Sequence, residues 1–551
     1  MKKLLSIVVS ISLVWGLFVA ESSSATAKQK VEVRHISEDV WVDAPGYESQ
    51  IPSSSAVTKY RTAGMRYNGD CFDIYPDAGL DPVLEHDQVG TTWYEYQQNG
   101  SMGRMISVTS NGYRHFSWMY TDHPYPPGPR FVDANRKGPA GGFLGQVHAD
   151  GGDINAGYSN QTHLHDGTSV IVHNRLLYGG ITTWGSALTM NEGVSGDSFP
   201  RHWDIPDYIT GAPSGEPGIW PKAEVLYHET EDRDYIHIVL TERSSYGPHA
   251  VAYERCYLSA GDTLICQCCE SGVPRTYKIA SNVDGPGALA PIDCFDYSGD
   301  VSSAVTVSPV SHRVAVAYGR PACDETGAYH SDLCYVESMS NGDDWVDGTN
   351  WPPLIHNITN FGCTGSERVK FDLSACYDYE DSLHIVYVTC GFDPDRPGYY
   401  QPGVARLYHW CKQNGISLIA SKIQEGANPS AHNINLSKPS ISAKDPVYHP
   451  DGDSIYLFCV WTQVDSSDQN AAGDQGNGDL FGCGSFDGGN TWGRTYNLTG
   501  THTPDCLPGD CLSEHWPSLA QNMYDGDLHI EYICDRDAGA AIMNEGTWTE
   551  N

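Results

Sequence analysis

Along most of the chain the apolar positions fall in short runs rich in β-branched and aromatic residues, and helical spacing is nearly absent. The strongest runs are RHFSWMYT at 114–121, TSVIVHNR at 168–175, YIHIVLTE at 235–242, HRVAVAYG at 312–319, LHIVYVTC at 383–390, IYLFCVWT at 455–462 and LHIEYICD at 528–535. Their starts lie 54 to 77 residues apart. Such spacing predicts a repeated supersecondary unit.

Several runs follow an earlier strand, as in GRMISVTS at 103–110, KAEVLYHE at 222–229 and SSAVTVSP at 302–309. A more polar strand and a Gly/Asn/Asp turn come after them. About four antiparallel strands per unit predict an all-β fold, a seven-bladed β-propeller of four-stranded antiparallel blades. An array of β-sandwiches would need linkers that the chain lacks. The seventh unit is short, and VEVRHISE at 31–38 has the alternation to complete it. The expected partner of Val31–Ile36 is the segment from Ala540 to Asn544. Central positions of the core are expected at Trp118, Ile171, Ile238, Val316, Val386, Phe458 and Ile530.

One turn carries a fuller signature. Ser485, Asp487, Gly489, Thr491 and Trp492 satisfy the pattern SxDxGxTW, and partial copies end at Trp184, Trp345 and Trp548. The carboxylate of such a turn can bind backbone N–H groups, its glycines permit left-handed dihedrals, and its tryptophan packs between sheets. On these residues the chain resembles secreted bacterial proteins of the sialidase-like, Asp-box (BNR-repeat) propeller superfamily. That resemblance implies the fold and places the Asp boxes away from a catalytic face. Sialidases of the superfamily use an arginine triad, a tyrosine–glutamate pair and an aspartate. Arg104, Arg313, Arg368 and Arg536 lie in or near repeat strands here, without the surroundings of that triad.

The net charge of -36 over 551 residues excludes a nucleic-acid footprint and a basic membrane-surface patch. Lys2, Lys3, an apolar run and Ala25-Thr26-Ala27 read as a secretory signal at 1–27, leaving 28–551 as one domain with no later membrane span. A secreted, extracellular or cell-surface location follows. All 17 cysteines lie beyond the leader, and export favours disulfides. The candidates are Cys323–Cys334, Cys390–Cys411, Cys459–Cys483 and the local pair Cys506–Cys511. The CQCC group at 266–269 is read as disulfide-forming too.

Chemistry is less well marked. Asp465, Asp468, Asp474 and Asp479 offer hard oxygen donors on a Gly/Asn-rich loop, which suits calcium or else a plain solvated insertion. No other cofactor is called for. Glu229, Glu231 and Asp232 sit at a strand-to-turn junction, as acid/base candidates or a solvated hairpin. His148, His163, His165 and His173 are candidates to converge, with no third zinc ligand located beside His163 and His165. Serine-hydrolase, dinucleotide and P-loop motifs are missing. The reading favours a non-enzymatic propeller, binding a glycan or an extracellular protein or serving an extracellular structural role. The alternative is a sialidase-fold glycoside hydrolase or polysaccharide lyase.

Overall fold

The computed structural model describes residues 29–36 and, with several internal segments left out, 85–549. The leader at 1–27 and Cys323 lie outside the described residues. The described strands form six sheets, of four, four, seven, eight, four and four strands. Among the described residues no helix is long and apolar enough to cross a membrane.

The expectation of seven separate four-stranded blades is therefore corrected. The seven-stranded sheet gains a parallel pair, Tyr208–Thr210 with Pro291–Ser298, beside the antiparallel strands Gly218–His228, Arg233–Glu242 and His249–Ser259. The eight-stranded sheet joins the fourth and fifth repeats through a single pairing, Ser331 with Val369. No strand order returns to its first strand, so no sheet closes on itself. The physical reason is that an edge strand pairs with whatever backbone reaches it. Repeat spacing counts the units but not the hydrogen bonds between them.

Gln29–Ile36 lies between Leu528–Asp535 and Glu85–Thr92, with Val31 opposite Ile533 on one side and Gly90 on the other. The expected partner, Ala540–Asn544, instead holds the short 3-10 turn Ala541–Met543. Trp118, Ile171, Ile238, Val316, Val386, Phe458 and Ile530 are all buried. Strands such as Leu436–Ala443 and Leu528–Asp535 are buried along their whole length, because neighbouring sheets cover both faces.

The opening strands of the repeats pack side by side in chain order, from Ile106–Val108 through Ala156–His163, Gly218–His228, Ser303–Val307, Glu367–Tyr377 and Leu436–Ala443 to Ser513–Leu519. Five of them share an irregularity. Tyr158, Trp220, Phe371, Lys438 and Trp516 have φ between 40° and 61°, each where the pairing register shifts. A bulge there adds a residue to one strand and turns the following side chains inward. Non-glycine residues in this region are strained, and such strain concentrates at functional places.

Candidate functional site

Arg104, just before Ile106–Val108, is where the opening strands meet. Its buried guanidinium donates from Nε to Glu224 Oε1 at 2.8 Å. It also donates to the carbonyls of Leu519 at 2.8 Å, Ile441 at 3.1 Å and Ala375 at 3.4 Å. The Gln521 amide, in the orientation that satisfies both its atoms, donates to the two carboxylate oxygens of Glu224 at 2.8 and 2.7 Å. Burial still pushes Glu224 upward, against the pull of Arg104. Each nitrogen of the Arg104 guanidinium and both Glu224 oxygens have a partner, so the pair is a fixed floor rather than a free acid or base.

Above this floor opens a polar cleft of about 410 Å³, within the ordinary range for small-ligand sites. Its walls include Gln161 and His163 from the second repeat, Tyr227 and Glu229 from the third, and Ser308 and His312 from the fourth. His163 is the last residue of Ala156–His163 and lines the cleft. Its Nδ1 is buried without a partner. Burial lowers its pKa to about 4, so the imidazole is neutral at pH 7. Tyr227 donates to Asp232 Oδ1 at 2.7 Å, and this bond with nearby carboxylates raises its pKa. The Tyr227 ring stacks on His165 at 3.9 Å. The cleft lining thus includes a neutral imidazole at His163 and a protonated phenol at Tyr227.

The other candidates disperse. His148 pairs with Asp133, and His173 is buried with Nδ1 on the Asn174 carbonyl at 3.0 Å. Glu231 accepts from Tyr235 at 2.6 Å, outside the cleft walls. Arg313 pairs with Asp381 at 2.8 Å, Arg368 donates to the Glu367 carbonyl at 2.6 Å, and Arg536 donates to the Gly509 carbonyl. Only Arg104 of the four arginines reaches the cleft. Three of the four loop carboxylates also take separate partners. Asp465 binds Lys422 at 2.6 Å, Asp468 binds Asn477 at 2.8 Å, and Asp479 binds Asn497, Thr499 and Thr501. The Asp474 carbonyl accepts from Asn428 at 2.9 Å.

The Asp-box turn is closed by its own side chains. Asp487 accepts from the Thr491 N–H at 2.9 Å and the Thr491 hydroxyl at 2.7 Å, and Ser485 Oγ accepts from Gly489 N–H at 2.8 Å. Trp492 Nε1 donates to Ser417 Oγ at 3.1 Å. Of the cysteine pairs, Cys506 and Cys511 are joined, with Cα atoms 5.0 Å apart. Cys266 is joined to Cys256 on the adjacent strand. Cys390 stands opposite Ala405 and Cys411 opposite His384, so the ladder itself separates that pair. Cys459 and Cys483 are directly opposite each other yet remain two buried thiols.

Two groups among the described residues could hold a metal: His384, His409 and Cys411, and Glu254 with Cys256 and Cys266. The disulfide consumes both sulfurs of the second group. The first was legible only as His-x-Cys at 409–411, a spacing that puts both side chains on one strand face. Tyr227, Gln161 and His312 carried no sequence signal, because the cleft gathers them from three repeats.

These findings overturn the preference for a non-enzymatic role. The cleft concentrates acid/base side chains with divergent proton affinities, and a set of buried metal-ligating groups lies elsewhere in the fold. No known protein family matches the chain, and no curated protein matches it. Among solved structures, it is similar to an ulvan lyase bound to -[GlcA(1-4)Rha3S]- at 12% identity and TM-score 0.41, covering 81% of this chain and 96% of the other. The polysaccharide lyase Uly1 aligns at 10% identity and TM-score 0.41, over 93% of this chain and 100% of that one. The Trypanosoma rangeli sialidase aligns at 10% identity and TM-score 0.35, over 70% of this chain and 54% of its own. The resemblance to sialidase-like and related carbohydrate-active proteins is one of fold, at very low sequence identity.

Proposed function

We propose that this chain is an exported enzyme that cleaves a uronate-containing polysaccharide by β-elimination in the Arg104 cleft. The observation that carries the reading is the opposed pair of proton affinities, His163 held low and Tyr227 held high. A neutral imidazole can take the proton beside the uronate carboxylate. The electron pair then forms the ring double bond, the glycosidic C–O bond breaks, and a phenol can give its proton to the departing oxygen. Hydrolysis by two carboxylates is less well served, because both oxygens of Glu224 are already bound by Gln521 and one of them by Arg104. The lysine-led apolar leader at 1–27 supports export to where such polymers occur.

The test is incubation of the purified chain with a panel of uronate-containing and neutral polysaccharides, following both unsaturated-product absorbance and new reducing ends. Elimination yields both signals, and His163→Ala should lower kcat by about 10²–10⁴-fold. New reducing ends without the chromophore would establish hydrolysis instead. No cleavage across the panel, or an undiminished His163→Ala enzyme, would reject the proposal.

A further inference from the structure

Away from the cleft, His384, His409 and Cys411 bring two ring nitrogens and a sulfur within 4.8 Å of one another. The ladder causes this. His384 on Leu383–Phe392 lies opposite Cys411 on Tyr400–Cys411, and His409 precedes Cys411 by two residues on the same face. All three are buried, as is Asp378, whose Oδ2 lies 2.9 Å from His384 Nε2.

The hydrogen bonds can be assigned almost completely. Asp378 accepts the Nε2 proton of His384, which leaves Nδ1 of the neutral ring as an acceptor, and the Cys411 side chain is hydrogen-bonded to the same ring. Ser417 Oγ gives its proton to the Gly489 carbonyl at 2.6 Å and accepts from Trp492 Nε1 at 3.1 Å. His409 Nδ1 lies 3.2 Å from that hydroxyl oxygen and the ring also donates to the Gly489 backbone, so Nδ1 carries the proton. His409 Nε2 is then an acceptor as well. It faces His384 Nδ1 at 2.9 Å, so two lone pairs point at each other beside a thiol. Three arrangements relieve this contact: a proton shared between Cys411 and His384, which are hydrogen-bonded, an extra proton that makes His384 an imidazolium, or a metal ion bound by both nitrogens and the sulfur.

We infer that His384, His409 and Cys411 form a zinc site. Thiolate and imidazole donors suit zinc and exclude calcium. Asp378 and Ser417 each hold the outer nitrogen of a histidine, the usual way of fixing the tautomer of a metal ligand. The site is roofed by the Asp-box turn. Gly489 has no Cβ, and one built there would lie 2.0 Å from the His409 ring. Asn414 also donates to the Gly488 carbonyl at 3.1 Å, and that oxygen lies 3.6 Å from Cys411 Sγ. The site thus lies on two strands of the fifth repeat, beneath the Asp-box hairpin of the sixth. A cysteine nucleophile with His384 and Asp378 is a poorer reading, since Cys411 is only 1% exposed and does not line the Arg104 cleft.

The experiment is elemental analysis of the full chain purified without a metal-affinity tag, followed by chelation and titration with Zn²⁺ or Co²⁺. The expected result is one zinc per chain, recovery of the chelation-lowered melting temperature on adding Zn²⁺, and a thiolate-to-Co²⁺ charge-transfer band. Cys411→Ser should abolish the band, and Asp378→Asn should weaken binding by about 10–100-fold. Cys459→Ser should bind as the natural chain does, which separates this site from the Cys459–Cys483 thiols. If the variants fail to fold, the wild-type Co²⁺ spectrum and thermal recovery decide. A folded wild-type chain that takes up neither metal, with His384 doubly protonated by NMR, would overturn the inference. Loss of metal from Cys459→Ser but not from Cys411→Ser would do the same.

Discussion

Arg104 carries a full charge into the region where the opening strands converge. Burying one charge without its partner costs far more than the pair is worth. Arg104→Met is therefore expected to lower unfolding free energy by about 3–5 kcal/mol, because Glu224 would remain buried with only the Gln521 amide. Arg104→Met with Glu224→Gln should recover much of that loss, and urea denaturation of both variants checks the pair. At this scale the sequence was partly legible. Arg104 stood out in GRMI at 103–106, but its four partners come from residues 120 to 415 positions away. The Cys459–Cys483 register also followed from local hairpin logic, yet facing cysteines do not oblige a bond.

At the scale of elements, the Asp-box turn and the strand bulges behave in opposite ways. The turn was readable because Ser485, Asp487, Gly489 and Thr491 satisfy one another within seven residues. Gly489 has φ 81°, and its missing side chain gives room to His409. Gly489→Ala should accordingly cost about 1–3 kcal/mol through left-handed strain and overpacking. Thermal unfolding of that variant beside Gly473→Ala separates the two causes, since Gly473 has φ 69° but open space around it. The bulges at Tyr158, Trp220, Phe371, Lys438 and Trp516 had no common residue to announce them. They lie on opening strands that pack side by side, a contact that no single strand contains.

For the whole molecule, buried histidines set the response to acid. Burial lowers His163, His202 and His515 to about 4, and His115, His173 and His237 to about 3, from an ordinary 6.5. Unfolded histidines bind protons first as pH falls, so this contribution is complete above about 6.5 and is lost toward pH 4 and below. Buried carboxylates held above their usual range, such as Glu531, act in the opposite sense above about pH 4.5, within the same window. Melting temperature is expected to fall between pH 6.5 and 4.5, with proton uptake on unfolding. Calorimetry at several pH values checks this, and His515→Gln should reduce the slope.

The chain's own residues determined the strands, the repeat, the buried centres of each unit and the Asp-box turn, because each depends on side-chain alternation or contacts within a few residues. Sheet number, the pairing of Ser331 with Val369, the cleft and the His384–His409–Cys411 cluster were decided only by tertiary structure. Edge pairing and convergence join segments tens to hundreds of residues apart, and hydrophobic patterning places a residue on a face without naming what that face will meet.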